Sequence, residues 1–175
     1  MSVMVIDTGN SIIKAKIARR ERNEIAFPHA IRQLSESEYG KILSRVQING
    51  NTQDYFRVNG TPYVVGESAE RHGLITQRTG TARYTKDYSG VLAAISLSKL
   101  YDRGREVAVF ASHPPGDVKY RRDLMESIIG EWEIETGQSK LSPVSWYQVF
   151  SIRKLLLASS HLLRSKQTIK IPPIV

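Results

Sequence analysis

Val3-Met4-Val5-Ile6-Asp7-Thr8-Gly9-Asn10-Ser11-Ile12-Ile13-Lys14 holds a complete reversal of chain direction. Four apolar residues, Val3 to Ile6, run unbroken into the carboxylate of Asp7, which is the pattern of a buried strand. Thr8-Gly9-Asn10 is turn chemistry, since Gly and Asn reach positive φ at little cost. Ile12 to Ala18 alternates in part and reads as the returning strand. Asn23-Glu24 marks another turn, and Ile25 to Ile31 a third strand. Strands joined by connections this short make an antiparallel meander.

Downstream, residues 32–82 are more polar and richer in Gly, Asn and Ser, and read as a small inserted lobe. Inside it, Asn59-Gly60 separates Asp54-Tyr55-Phe56-Arg57-Val58 from Thr61-Pro62-Tyr63-Val64-Val65. Asn-Gly between aromatic and β-branched runs predicts a type I′ hairpin. Gly66 to Glu70 then turns away as a short helix. Asp87 to Tyr101 predicts a helix with a broad apolar stripe (Val91, Leu92, Ile95, Leu97, Leu100, Tyr101), and Gly104 follows as a stop. Glu106 to Ala111 is a buried strand, and Pro114-Pro115-Gly116 breaks it. Asp117 is a candidate cap for a helix reaching about Ile129 and ending at Gly130; Trp132 to Glu135 is a short strand. A helix between the meander and strand 106–111 implies a crossover to a parallel strand. Three antiparallel strands followed by parallel ones with covering helices is the order of a ribonuclease-H-like α/β layer.

The chemistry concentrates at the first turn. A strand carries Asp7 to the edge of the sheet, and the turn aims several backbone N–H groups one way, a concavity suited to phosphate oxygens. Gly9 lets backbone approach a ligand with no Cβ between. The Asp7 carboxylate suits a hydrated Mg²⁺ that bridges to phosphate, and Lys14 offers a point charge. The plainer alternative is a β-hairpin whose Asp and Gly serve only the turn. Other motifs carry less. Gly80-Thr81-Ala82-Arg83-Tyr84-Thr85-Lys86 lacks the spacing of a P-loop, and no G-x-G-x-x-G opens a helix. His113 beside Ser112 has no evident acid partner for a catalytic triad. His29, His72 and His161 read as ordinary surface or partly buried residues, and Arg19 to Arg22 as a solvated turn.

Val5 to Lys14 resembles the first phosphate-binding loop of the actin, heat-shock-chaperone and sugar-kinase superfamily. Within it the chain is similar to the plasmid-segregation actin-like proteins, the ParM group, and their archaeal relatives. Phe56 to Ala69 resembles that family's hairpin and following helix, and Arg83 to Tyr88 the entry to its first long helix. Val107 to Gly130 resembles the strand, Pro-containing loop and helix after it, with Ser112-His113-Pro114-Pro115 where the family often has Gly-Leu-Pro. The resemblance covers residues 1–135. It implies an α/β, actin-like ATPase domain whose mixed sheet carries the inserted lobe, an ATP and Mg²⁺ site, and self-association into filaments. It also implies an adaptor protein as a possible partner. By match to the loop, Asp7 is placed near Mg²⁺; Thr8, Gly9, Asn10 and Ser11 line the phosphates, and Lys14 assists. A sugar or acetate kinase is disfavoured, because no second lobe or substrate loop is found.

Composition bounds these readings. Apolar residues make up 41% and charged residues 24%, near the soluble average. No run approaches a membrane span. The absence of cysteine and of a basic-then-apolar N-terminus fits the cytoplasm. The net charge of +8 is uneven: beyond Glu135, the last acid, six Lys and Arg stand without a carboxylate, leaving +2 for residues 1–135. No direct nucleic-acid site is therefore indicated. The family's D-x-G-x-x-T loop, water-positioning glutamate and adenosine segment have no match after Glu135, so the domain reads as truncated, its nucleotide site as weak or incomplete and turnover as negligible.

Residues 136–175 read as a basic tail, either non-native sequence after a lost reading frame near Gly137 or a genuine short variant's extension. Strand 106–111 is then expected to lack its next neighbour, unless residues 143–152, alternating through Val144, Trp146, Gln148 and Phe150, pair there. Arg153 to Lys166 reads either as a basic amphipathic helix or as a frayed, nonspecific helix or disordered chain. The alternative function is a non-enzymatic interaction module whose basic tail binds an acidic partner.

Overall fold

The structure, a computed structural model, describes residues 2–9, 11–18, 24–49, 54–71, 88–101, 104–113, 121–136 and 146–159. The expected Asp117 cap, the turn at 19–22, the segment 80–86, His72 and His161 lie outside them. The opening meander is present as β1 (Ser2–Thr8), β2 (Ile12–Ile17) and β3 (Glu24–Pro28). Its register sets Met4 against Ile17, Ile6 against Ala15 and Thr8 against Ile13. The third strand is shorter than the expected 25–31. Pro28 closes β3, the chain bends through His29, and Ala30 donates its amide back to the Pro28 carbonyl at 2.8 Å. Ile31–Gln33 then forms a separate strand, β4.

The inserted segment contains a helix that composition hid, α1 (Glu36–Asn49). Its start is a capping box. The Ser35 amide donates to the Glu38 carboxylate (2.9 Å), and the Glu38 amide returns a bond to Ser35 Oγ (3.3 Å). Next come β5 (Tyr55–Val58), β6 (Thr61–Val65) and α2 (Gly66–Arg71). The β5–β6 turn is the expected I′ type, with φ of 46° at Asn59 and 77° at Gly60. Period-2 alternation then sends side chains to two cores. Tyr55 and Val64 join Ala30, Leu34, Tyr39 and Ala69 beneath α1 and α2, whereas Phe56, Val58, Tyr63 and Val65 enter the larger one.

The main core forms around α3 (Ser89–Leu100), whose residues are buried without a break from Ser89 to Leu97. The stripe read from the sequence is thus nearly a full cylinder. Ser96 tolerates this because its Oγ donates to the Leu92 carbonyl at 2.8 Å. At its C-terminal end, Lys99 Nζ lies 3.6 Å from Asp54 Oδ1 and over the rings of Phe27 and Phe56. Desolvation pushes the Lys99 pKa below the usual lysine value, with Asp54 opposing it. Asp54 Oδ2 in turn accepts the Ser68 amide (3.2 Å), so one ion pair ties α3 to β5 and α2.

After α3 come β7 (Glu106–His113), α4 (Arg121–Ile128), β8 (Gly130–Thr136) and β9 (Trp146–Ser159). Among the described residues, nine strands form one mixed sheet in the order β3-β2-β1-β7-β9-β8-β5-β6-β4. β7 runs parallel to β1, as the crossover requires. The inserted hairpin continues the same sheet through β5 and β8.

Two expectations about the later residues change. β7 is no edge, because β9 lies parallel beside it from Glu106↔Ser151 to His113↔Ser159. The run 146–152 mainly pairs antiparallel with β8, and the residues after it reach β7. Residues 153–159, expected as helix or as disordered chain, are strand. Three consecutive leucines, Leu155 to Leu157, pair parallel with Val109 to Ala111 of β7, and such an unbroken apolar run is common in parallel strands. β9 therefore belongs to the sheet although it lies wholly beyond the compositional boundary at Glu135, and Ile152 is fully buried.

Candidate functional site

The β1–β2 turn sits where the parallel strands end. Ile6 is level with Ala111 of β7, and Ala111 with Leu157 of β9, so the C-terminal ends of β1, β7 and β9 share one side of the sheet. In open α/β sheets, ligands bind outside those ends.

Strand alternation then sorts the turn's residues. Met4, Ile6, Ile13 and Ala15 point into the core under α3. Asp7 and Lys14 are direct register partners on the opposite face, with Val5↔Lys16 one step behind. Seven residues apart in sequence, a carboxylate and an ammonium thus stand side by side on one sheet face. Asp7 is half-buried, Lys14 exposed. Thr8 and Gly9 are half-buried, Ser11 is exposed, and Ile12 leaves the turn with 46% of its surface exposed. Asn10 lies outside the described residues.

Gly9 has a different reason from the expected positive φ, which it does not adopt. A Cβ there meets the Ile12 carbonyl oxygen at 2.9 Å. The requirement is close passage of backbone over backbone across the turn.

Reading the sequence for chemistry passed over His29. At the β3–β4 bend, its Nδ1 lies 2.7 Å from the Gly9 carbonyl, and its amide donates to the Ser11 carbonyl at 2.9 Å. A carbonyl only accepts, so Nδ1 carries the proton. The available signal was Pro28-His29 directly after a strand destined to pair with β2.

Ser112 and His113 finish β7 in register with Ala158 and Ser159. Among the described residues, no group of three or more His, Cys, Asp or Glu gathers to hold a metal ion, and no helix is long and apolar enough to cross a membrane.

The meander, the crossover to a parallel strand and the turn at the strands' C-terminal ends together make the mixed α/β layer of an actin-like domain. A family model for the N-terminal domain of actin-like proteins matches residues 5–149, and the chain belongs to that family. No curated protein matches in a sequence comparison.

Solved structures agree on the fold. ParM from Bacillus thuringiensis in its apo form matches at 13% identity and a TM-score of 0.64, over 93% of this chain and 46% of that one. An archaeal actin homolog in complex with ADP matches at 13% identity and TM-score 0.58, over 93% and 44%. The filament structure of AlfA from a B. subtilis plasmid matches at 17% identity and TM-score 0.56, over 91% and 56%. The chain thus spans about half the length of these relatives.

Proposed function

We propose that this chain supplies the first phosphate loop and one lobe of an ATP-binding, filament-forming actin-like protein of the plasmid-segregation type, acting in the cytoplasm. The observation that carries the reading is the Asp7–Lys14 pair flanking a tight turn at the C-terminal ends of the parallel strands. These residues fit a magnesium nucleotide. Asp7 supplies a hard oxygen for a hydrated Mg²⁺. In this reading Thr8, Gly9, Asn10 and Ser11 bind phosphate oxygens through their amides and hydroxyls, and Lys14 adds a positive charge. Bound Mg²⁺ neutralises polyphosphate charge.

Phosphoryl transfer to water depends on positioning from both sides. The chain alone therefore binds Mg-ATP weakly, turns it over negligibly, and needs the remaining half of the fold for hydrolysis and for filament assembly. An adaptor that joins filament to cargo belongs to the same reading.

The test is a titration of the 175-residue chain with ATP, with and without Mg²⁺. Magnesium-dependent binding is expected, weakened at least about tenfold in Asp7→Ala, since hydrogen bonds to charged groups contribute about 1.5–3 kcal/mol. Equal binding by both proteins would remove Asp7 from the site.

A further inference from the structure

We propose that His29 is a positioning residue for the phosphate loop, an inference that rests on the nucleotide reading above. His29 is 20 residues beyond Gly9, yet two of its groups bind the turn. The imidazole Nδ1–H donates to the Gly9 carbonyl at 2.7 Å, and the backbone amide donates to the Ser11 carbonyl at 2.9 Å. One residue therefore grips the turn on both sides of its tip.

Those two bonds set where the carbonyls face. A carbonyl oxygen carries partial negative charge and repels phosphate oxygens, whereas N–H donors attract them. The bonds keep the Gly9 and Ser11 carbonyls turned toward His29 before a ligand arrives, and preorganisation of that kind raises affinity by lowering the ordering cost on binding.

The bend that carries His29 is itself held. Ala30 donates to the Pro28 carbonyl at 2.8 Å, and the Gly66 amide donates to the Ala30 carbonyl at 2.9 Å. Gly66 begins α2 with a φ of +64°. The histidine's support accordingly comes from the inserted hairpin and its helix, outside the meander it grips.

The side chain's role is specific to Nδ1, and substitution can separate its two nitrogens. An asparagine amide places a donor near the Nδ1 position; a glutamine amide places one near Nε2. The full 175-residue chain is compared with His29→Asn, His29→Gln and His29→Ala by two measurements: hydrogen exchange of the amides in residues 8–12 without nucleotide, and affinity for Mg-ATP.

The inference expects Ala and Gln to speed loop exchange and weaken Mg-ATP binding by about fivefold, the scale of one hydrogen bond of about 1 kcal/mol. Asn is expected to restore both to within about twofold of the parent. The unfolding midpoints of Asn and Gln should match, so that a stability loss alone cannot produce the difference. Loop exchange indifferent to residue 29, or Gln as effective as Asn, overturns the inference even when the parent binds Mg-ATP. Loop exchange that follows the Nδ1 pattern in a parent that binds no Mg-ATP supports the grip on the turn and overturns the nucleotide reading instead.

Discussion

Tyr39 shows how one residue couples packing to pH. It lies in the smaller core, 5% exposed, with the Arg57 guanidinium 5.0 Å from its ring centroid. Burial first, and the nearby Glu135 charge second, push its phenol up from 10.0 to about 12 against the opposing effect of Arg57. The folded protein thus keeps the proton at a pH where the unfolded chain releases it. Stability from this group is complete below pH 10 and falls as pH rises toward 12. Urea unfolding between pH 8 and 11 should show the parent losing stability above pH 10 more steeply than Tyr39→Phe. Parallel curves would show that Tyr39 ionises as freely as in the unfolded chain. At this scale the sequence displayed Asp7 and Lys14 plainly, because strand period and turn length fix their register. His29 was not legible. Its function depends on a bend at Pro28 that sends the next strand to the far edge of the sheet, and no local pattern states where that strand goes.

Elements were legible where the apolar pattern was dense and hidden where it was sparse. α3 announced itself through a run of core residues. α1 did not: Tyr39, Ile42 and Leu43 are its contribution to the smaller core, in a polar helix that also holds Gly40. Its start signal, Ser35 with Glu38 three residues on, was present all along. The approach of α3 to α4 is a packing fact that periodicity cannot reveal. At Gly90 a Cβ falls 2.0 Å from the Ser127 carbonyl oxygen and 2.5 Å from Cη2 of Trp132, whose indole N–H donates to the Ile128 carbonyl at 3.0 Å. A backbone oxygen has no rotamer by which to withdraw, so α3 and α4 must separate. Gly90→Ala should therefore destabilise by about 1–3 kcal/mol despite the better helix propensity of alanine. For a chain of this size, each kcal/mol lowers the thermal midpoint by about 2–4 °C. An unchanged or raised midpoint would mean that the two helices are not in contact there.

The whole molecule depends on its last described strand. β1, β2, β3 and β7 form one half of the sheet, and β8, β5, β6 and β4 the other. β9 pairs with β7 on one side and β8 on the other, so it is the hydrogen-bonded joint between the halves. The charge imbalance beyond Glu135 had suggested an appendage. Charge speaks to solubility and partners more than to strand pairing, and the Leu155-Leu156-Leu157 run is the better guide. The family match extending to residue 149 points the same way. Ending the chain at residue 145 should then leave the facing edges of β7 and β8 without their ladder and expose the core beside Ile152. Unpaired apolar edges promote association between chains. The shortened protein is expected to lose its cooperative unfolding transition and to aggregate at concentrations where the 175-residue chain remains dispersed, as read by circular dichroism and light scattering. Were residues 146–159 a dispensable extension, the shortened and full chains would share one midpoint, and the two halves of the sheet would have to meet through contacts other than β9.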